Sequence, residues 1–123
     1  MEERMSKEEK LRIIQEIVPG KQITLAHVIA NPDNSLYGKV GMERREAGGR
    51  SAIGIVTMSP GETAIIAGDI ALKTSGVSLG DVDRVSGTLL VNGSVADVEA
   101  SLTAIVEYAE QKLGFTVCQI TKT

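Results

Sequence analysis

At 123 residues the chain has room for one domain with one core, because a chain of this length buries about two thirds of its unfolded surface and has little left for a second core. Hydrophobic residues make up 42% and aromatics only 2%, so that core must be built from Val, Ile, Leu and Ala, whose small side chains let a helix approach a sheet closely. A formal net charge of -3 with scattered basic residues lacks the electrostatic footprint of a nucleic-acid binder and excludes DNA and RNA as expected partners.

In chain order, residues 1–11 form a highly charged tail with no apolar signal region, and nowhere do eighteen apolar residues run together. A soluble, cytoplasmic protein without a membrane partner is expected. The run RIIQEIV (12–18), the Pro19-Gly20 turn and KQITLAHVIA (21–30) predict two strands of a hairpin, and a short helix follows near 35–40. GMERREAGGR (41–50) is polar and glycine-rich, which predicts an exposed, mobile loop.

The apolar run AIGIVTM (52–58) predicts a strand. Ser59-Pro60-Gly61-Glu62 then carries a helix start, with Ser59 as cap and Glu62 able to reach back. The helix spans 63–74 with an apolar stripe of Ile66, Ala67, Ile70 and Ala71, and Gly76 is placed to end it. Residues 77–82 supply a strand, Ser86-Gly87 a turn, TLLV (88–91) another strand and Asn92-Gly93 another turn signal. Ser94 with Asp97 opens a second helix, in which Val95, Val98, Leu102, Ile105, Ala109 and Leu113 recur at three and four, and Gly114 closes it. FTVCQI (115–120) alternates as a strand would.

The order is βαβ twice. Each helix must bury its stripe on the same apolar sheet face, which predicts an α+β, ferredoxin-like layout: an antiparallel four-stranded sheet with the helices on one face. The 12–30 hairpin would be an N-terminal extension of it.

Chemistry finds little purchase. Cys118 cannot make an intramolecular disulfide, and His27 cannot hold a metal alone; no catalytic residue, metal site or cofactor is expected. His27 lies in an alternating strand, where a paired structural histidine is commoner than a catalytic one. Asp81, Asp83 and Arg84 cluster before a turn, but nothing nearby completes an acid-base site, so a charged strand end or an intersubunit salt bridge is the better reading. The thirteen glycines form neither a dinucleotide-binding fingerprint nor a P-loop.

The blocks IIQEIVPGKQITLAHVIANP, AIGIVTMSPGETAIIAGDIALK and DRVSGTLLVNGSVADVE, with the closing QITKT, resemble the circularly permuted shell proteins of the ethanolamine, propanediol and choline utilisation microcompartments. The resemblance runs through nearly the whole chain from Ile13 and implies a single permuted BMC (bacterial microcompartment) domain over 12–123. It also implies a homohexamer that packs edge to edge with other shell proteins, encloses metabolic enzymes and retains a volatile or toxic aldehyde. Residues 12–20, with Ile13, Ile14, Gln15, Glu16, Ile17 and Val18, would then supply strands to a β-barrel on the six-fold axis; packing of this hairpin on its own sheet is the alternative. Lys73, with Asp69 one turn earlier, matches the lysine at hexamer edges, although the two also read as an ordinary i,i+4 helix pair. Ser86 and Gly87 match the turn lining the central opening of unpermuted hexamers, or else only connect two strands. A different class, a small-molecule-sensing domain of ferredoxin-like fold, shares the architecture, and subunit number separates the two.

Overall fold

The computed structural model describes residues 20–40 and 51–123. The charged tail 1–11, the strand expected over 12–18 with its barrel residues, and the loop expected over 41–50 lie outside the described residues.

Among the described residues eight elements follow one another: β1 (Gln22–Ile29), α1 (Asn34–Lys39), β2 (Ala52–Ser59), α2 (Thr63–Thr74), β3 (Ser78–Asp83), β4 (Thr88–Gly93), α3 (Val95–Leu113) and β5 (Thr121–Lys122). The strands form one sheet in the order β3-β4-β2-β1-β5. Its four inner contacts are not all alike: β1 with β2, β2 with β4 and β3 with β4 are antiparallel, while β5 runs parallel to β1.

Alternation decides which face each strand buries. Ala26 and Val28 of β1, Ala52, Val56 and Met58 of β2, and Leu89 and Val91 of β4 join the main core with Val98, Leu102, Ile105 and Ala109 of α3 and Ala67 and Ala71 of α2. Burying each Val, Leu or Ile there contributes about 1.5–3 kcal/mol. Gly54 sets the height of α3 above the sheet, since a β-carbon on it would fall 2.8 Å from Val91 and Val98 and 2.9 Å from Leu102. Ile53 and Ile55 point the other way and, with Ile29, Leu36 and Leu90, surround Tyr37 of α1 in a second cluster. The Tyr37 hydroxyl donates to the Ser51 carbonyl, which keeps its one polar group satisfied in that apolar setting.

Helix ends follow local chemistry. The Ser94 side chain accepts the Asp97 amide at 3.1 Å at the start of α3, and Gly114 closes it at φ 71°, a left-handed conformation suited to glycine. At α1, Asp33 accepts the Ser35 amide at 2.9 Å.

The sheet departs from the expected four antiparallel strands in two connected ways. KQITLAHVIA is not an appendage: β1 pairs with β2 along its whole length and fills an inner position. FTVCQI consequently finds that place taken, and touches the sheet only through a bridge from Thr116 to Gln22 before the two-residue β5. Its Val117, Cys118 and Ile120 all lean on the core instead of alternating. The helices also divide: α2 and α3 share one face as expected, but α1 packs on the other.

Smaller differences arise at α2. Ser59 is the last residue of β2, and the helix begins after Glu62, whose side chain makes no capping bond. Thr63 instead returns its hydroxyl to the Pro60 carbonyl at 2.6 Å. The buried stripe is Ala64, Ala67, Gly68 and Ala71, while Ile66 is exposed. Asn92 and Gly93 are strand residues, and the Asn92 amide donates across to the Ala52 carbonyl at 3.2 Å.

Candidate functional site

Two features of the described surface stand out, an exposed apolar line on α2 and the tight turn between β3 and β4. Among the described residues no group of three or more His, Cys, Asp and Glu is placed to hold a metal ion, and no helix is long and apolar enough to cross a membrane.

Helix α2 carries the first face. The fully buried residues of the helix are Ala and Gly, Ile70 packs partly against the core, and the other large apolar residues point outward: Ile65 is 53% and Leu72 51% exposed, and Ile66 is also exposed. Ile65 and Leu72, seven residues apart, fall on one line of the helix, beside Gly68. Gly68 packs against Leu79 and Val82 of the edge strand β3, so this apolar line adjoins the open edge of the sheet. Asp69 and Lys73 crown the same helix as an exposed i,i+4 pair, 2.8 Å apart. The hydrogen bond that Lys73 donates to the Asp69 carboxylate, reinforced by the opposite charge, raises the Lys73 pKa. The sequence already placed these two side by side; it concealed the outward Ile65 and Leu72, although the small-residue spacing of Ala64, Ala67, Gly68 and Ala71 was the signal for them.

The turn between β3 and β4 carries the second. Asp83 accepts the amides of Val85 at 2.9 Å and Ser86 at 3.3 Å through its carboxylate, and that of Gly87 at 2.8 Å through its carbonyl. The two carboxylate bonds, the Val85 one foremost, lower the Asp83 pKa. Gly87 has φ 80°, and a β-carbon there would collide with the Met58 carbonyl at 1.9 Å, so this position accepts only glycine. The Gly87 carbonyl in turn receives the Met58 amide at 2.9 Å, which locks the turn onto the end of β2. The amides of this turn are therefore engaged by Asp83, and what it presents outward is the exposed Ser86 and, above all, Val85 at 88% exposure. Asp81 and Arg84 are exposed beside it.

His27 is a structural partner. Its Nδ1 lies 2.5 Å from the Thr121 hydroxyl and its Nε2 2.9 Å from that of Thr123, which ties β1 to the last residues of the chain. Cys118 is half-buried against the main core.

A family model described as the BMC domain matches residues 52–121. The chain is 52% identical over 114 residues to the bacterial microcompartment shell protein EutS of Escherichia coli (strain K12), a match that covers 93% of this chain and 98% of that one. It is 48% identical over 111 residues to the bacterial microcompartment shell protein CutR of Streptococcus intermedius, covering 90% and 91%. Among solved structures, a CutR flat hexamer superposes with a TM-score of 0.79 at 43% identity, over 85% of this chain and 92% of that one. The sheet with two helices on one face and a small-residue stripe beneath α2 is thus the BMC domain, and the chain belongs to the bacterial microcompartment shell protein family.

Proposed function

We propose that the chain is a structural tile without catalytic activity: six copies close into a ring, and rings pack edge to edge with other shell subunits into the wall of a cytoplasmic microcompartment that holds enzymes and retains a volatile or toxic aldehyde. The observation that carries this reading is the likeness at 43% identity to a CutR chain solved as a flat hexamer. The exposed apolar line of α2 supports it, because a shell subunit must bury surface against its neighbours.

In this reading Lys73 and Asp69 stand at the outer edge of the ring. One exposed ionic contact is worth about 0.2–1 kcal/mol, but a lattice repeats it at every edge, so weak contacts sum through multivalency. Ser86 and Gly87 belong to the turn nearest the axis, with Gly87 fixing its shape and Val85 its outward surface. Residues 12–123 form a single domain behind the tail 1–11, and Ile13, Ile14, Gln15, Glu16, Ile17 and Val18 contribute to an axial β-barrel. The domain is circularly permuted: the BMC match begins at Ala52, the first residue of β2, while β1, which fills an inner place in the same sheet, comes from outside the matched span.

Native mass spectrometry at modest salt, followed by electron microscopy of the same sample, tests the tile. A six-subunit species that grows into sheets or tubes is expected, and Lys73→Glu is expected to keep the ring while abolishing growth. A stable dimer or trimer would overturn the ring, and sheets unchanged by Lys73→Glu would remove the edge role.

A further inference from the structure

The start of α2 and the turn between β3 and β4 meet backbone on backbone. A β-carbon on Gly61, just before the helix, would fall on the Arg84 carbonyl oxygen and lie 2.9 Å from that of Val85. From the other side, a β-carbon on Gly87 would lie 3.1 Å from the Gly61 α-carbon as well as striking the Met58 carbonyl. Two glycines therefore close on each other with no side chain between them. Gly61 is not in the left-handed region, so it is the contact and not φ that selects glycine there.

This crowding differs in kind from that at Gly54. The atoms around Gly54 are the methyl ends of Val91, Val98 and Leu102, which yield in part by side-chain rotation, whereas those at Gly61 are main-chain oxygens that yield only if a segment moves. Neither segment is loose. The Pro60 carbonyl accepts the Thr63 amide at 3.0 Å and the Thr63 hydroxyl at 2.6 Å, and the Gly61 carbonyl accepts the Ala64 amide at 3.0 Å. On the turn, the Gly87 amide donates to the Asp83 carbonyl at 2.8 Å and the Gly87 carbonyl accepts the Met58 amide at 2.9 Å. The longest bond of the set runs from the amide of the exposed Ser86 to the Asp83 carboxylate at 3.3 Å, and it is the one that would yield first.

We propose that Gly61 is a positioning residue for the turn between β3 and β4: the start of α2 holds that turn by backbone contact, so that Val85 is presented at a fixed place and the turn and the first residues of α2 open as one unit. The contact lies within one chain and is independent of any ring. A short segment held by a few exposed hydrogen bonds would otherwise open by itself, ahead of the elements around it.

Nuclear magnetic resonance titration of the Asp83 carboxyl and hydrogen exchange of the Val85 and Ser86 amides test this in the full chain. In Gly61→Ala the displaced turn stretches the bonds that lower the Asp83 pKa, the Val85 one foremost, so the pKa is expected to rise toward the ordinary carboxylate value. Both amides are expected to exchange about ten-fold faster, the size of losing one net hydrogen bond. Gly54→Ala is the control, because it overpacks the core beneath α3 and is expected to leave both readings where they were. A folded Gly61→Ala with unchanged titration and exchange would overturn the proposal, and so would equal changes in Gly54→Ala, the mark of a general loosening. Asp83→Ala reads the contact from the turn side and does not require Gly61→Ala to fold. In that variant exchange of the Ala64 amide is expected to quicken relative to that of Phe115 at the far end of α3, and an unchanged ratio would overturn the shared unit.

Discussion

Asp83 shows how one side chain fixes a surface. Its carboxylate holds the amides of Val85 and Ser86, and the charge is what the bonds stabilise, so its pKa lies below the ordinary carboxylate value. A depressed folded-state pKa contributes stability that is fully present above the unfolded value and is lost as pH falls through the folded one. Asp83→Asn keeps the shape and much of the hydrogen bonding of the turn but discards the charge. The variant is therefore expected to be less stable than the parent at neutral pH, with the gap closing below about pH 4. Urea midpoints measured from pH 7 down to pH 3 check this, and a gap that stays constant with pH would mean that the carboxylate charge plays no part. Gly87 completes the turn from the backbone side, where no side chain fits between it and the Met58 carbonyl.

At the scale of elements, the controlling contact is α3 on β2, and it depends on the missing side chain of Gly54. Gly54→Ala would press a methyl group on Val91, Val98 and Leu102 at once, all of them fully buried. Overpacking of this kind costs about 1–3 kcal/mol, so a lowered urea midpoint with an unchanged slope is the expected result. An unchanged midpoint would mean that α3 can lift away without loss. The elements themselves were largely legible: α3 announces itself by apolar residues at three and four between Ser94 and Gly114, β2 and β4 by short apolar runs, and β3 by its place between the first helix and the Ser86-Gly87 turn. Their neighbours were not. Alternation in KQITLAHVIA states that it is a strand but carries nothing about which strand it pairs with, and FTVCQI has the same alternation without a vacant sheet position to occupy. The α2 stripe was read correctly at Ala67, Ile70 and Ala71 and wrongly at Ile66, because hydrophobicity assigns Ile66 to the inside whereas the fully buried positions of the helix are held by Ala and Gly. Lys73 and Asp69 were legible as a pair from spacing alone, while the bonds of His27 to Thr121 and Thr123, more than ninety positions away, depend on the fold.

For the whole molecule, α2 presents two kinds of surface that assembly can use separately. A ring of identical subunits closes through a heterologous contact, so each copy must bring two different patches together, and such patches need apolar area that one subunit alone cannot bury. The line of Ile65 and Leu72 beside the β3 edge supplies such area, whereas Asp69 and Lys73 on the crown of the helix are suited to the weaker, salt-sensitive contacts between rings. Ile65→Gln combined with Leu72→Gln removes the first without touching the core, because both side chains already face water in the single subunit. Exposed positions of this kind usually change subunit stability by no more than about 0.5 kcal/mol each. The expected outcome is a folded chain with an unchanged circular dichroism spectrum but a population shifted from six subunits toward one, read by native mass spectrometry at fixed concentration. Retention of the full ring by this variant would place the subunit contact elsewhere and leave the outward apolar line of α2 to the contacts between rings, where loss of sheets in electron micrographs with intact rings would then be its signature.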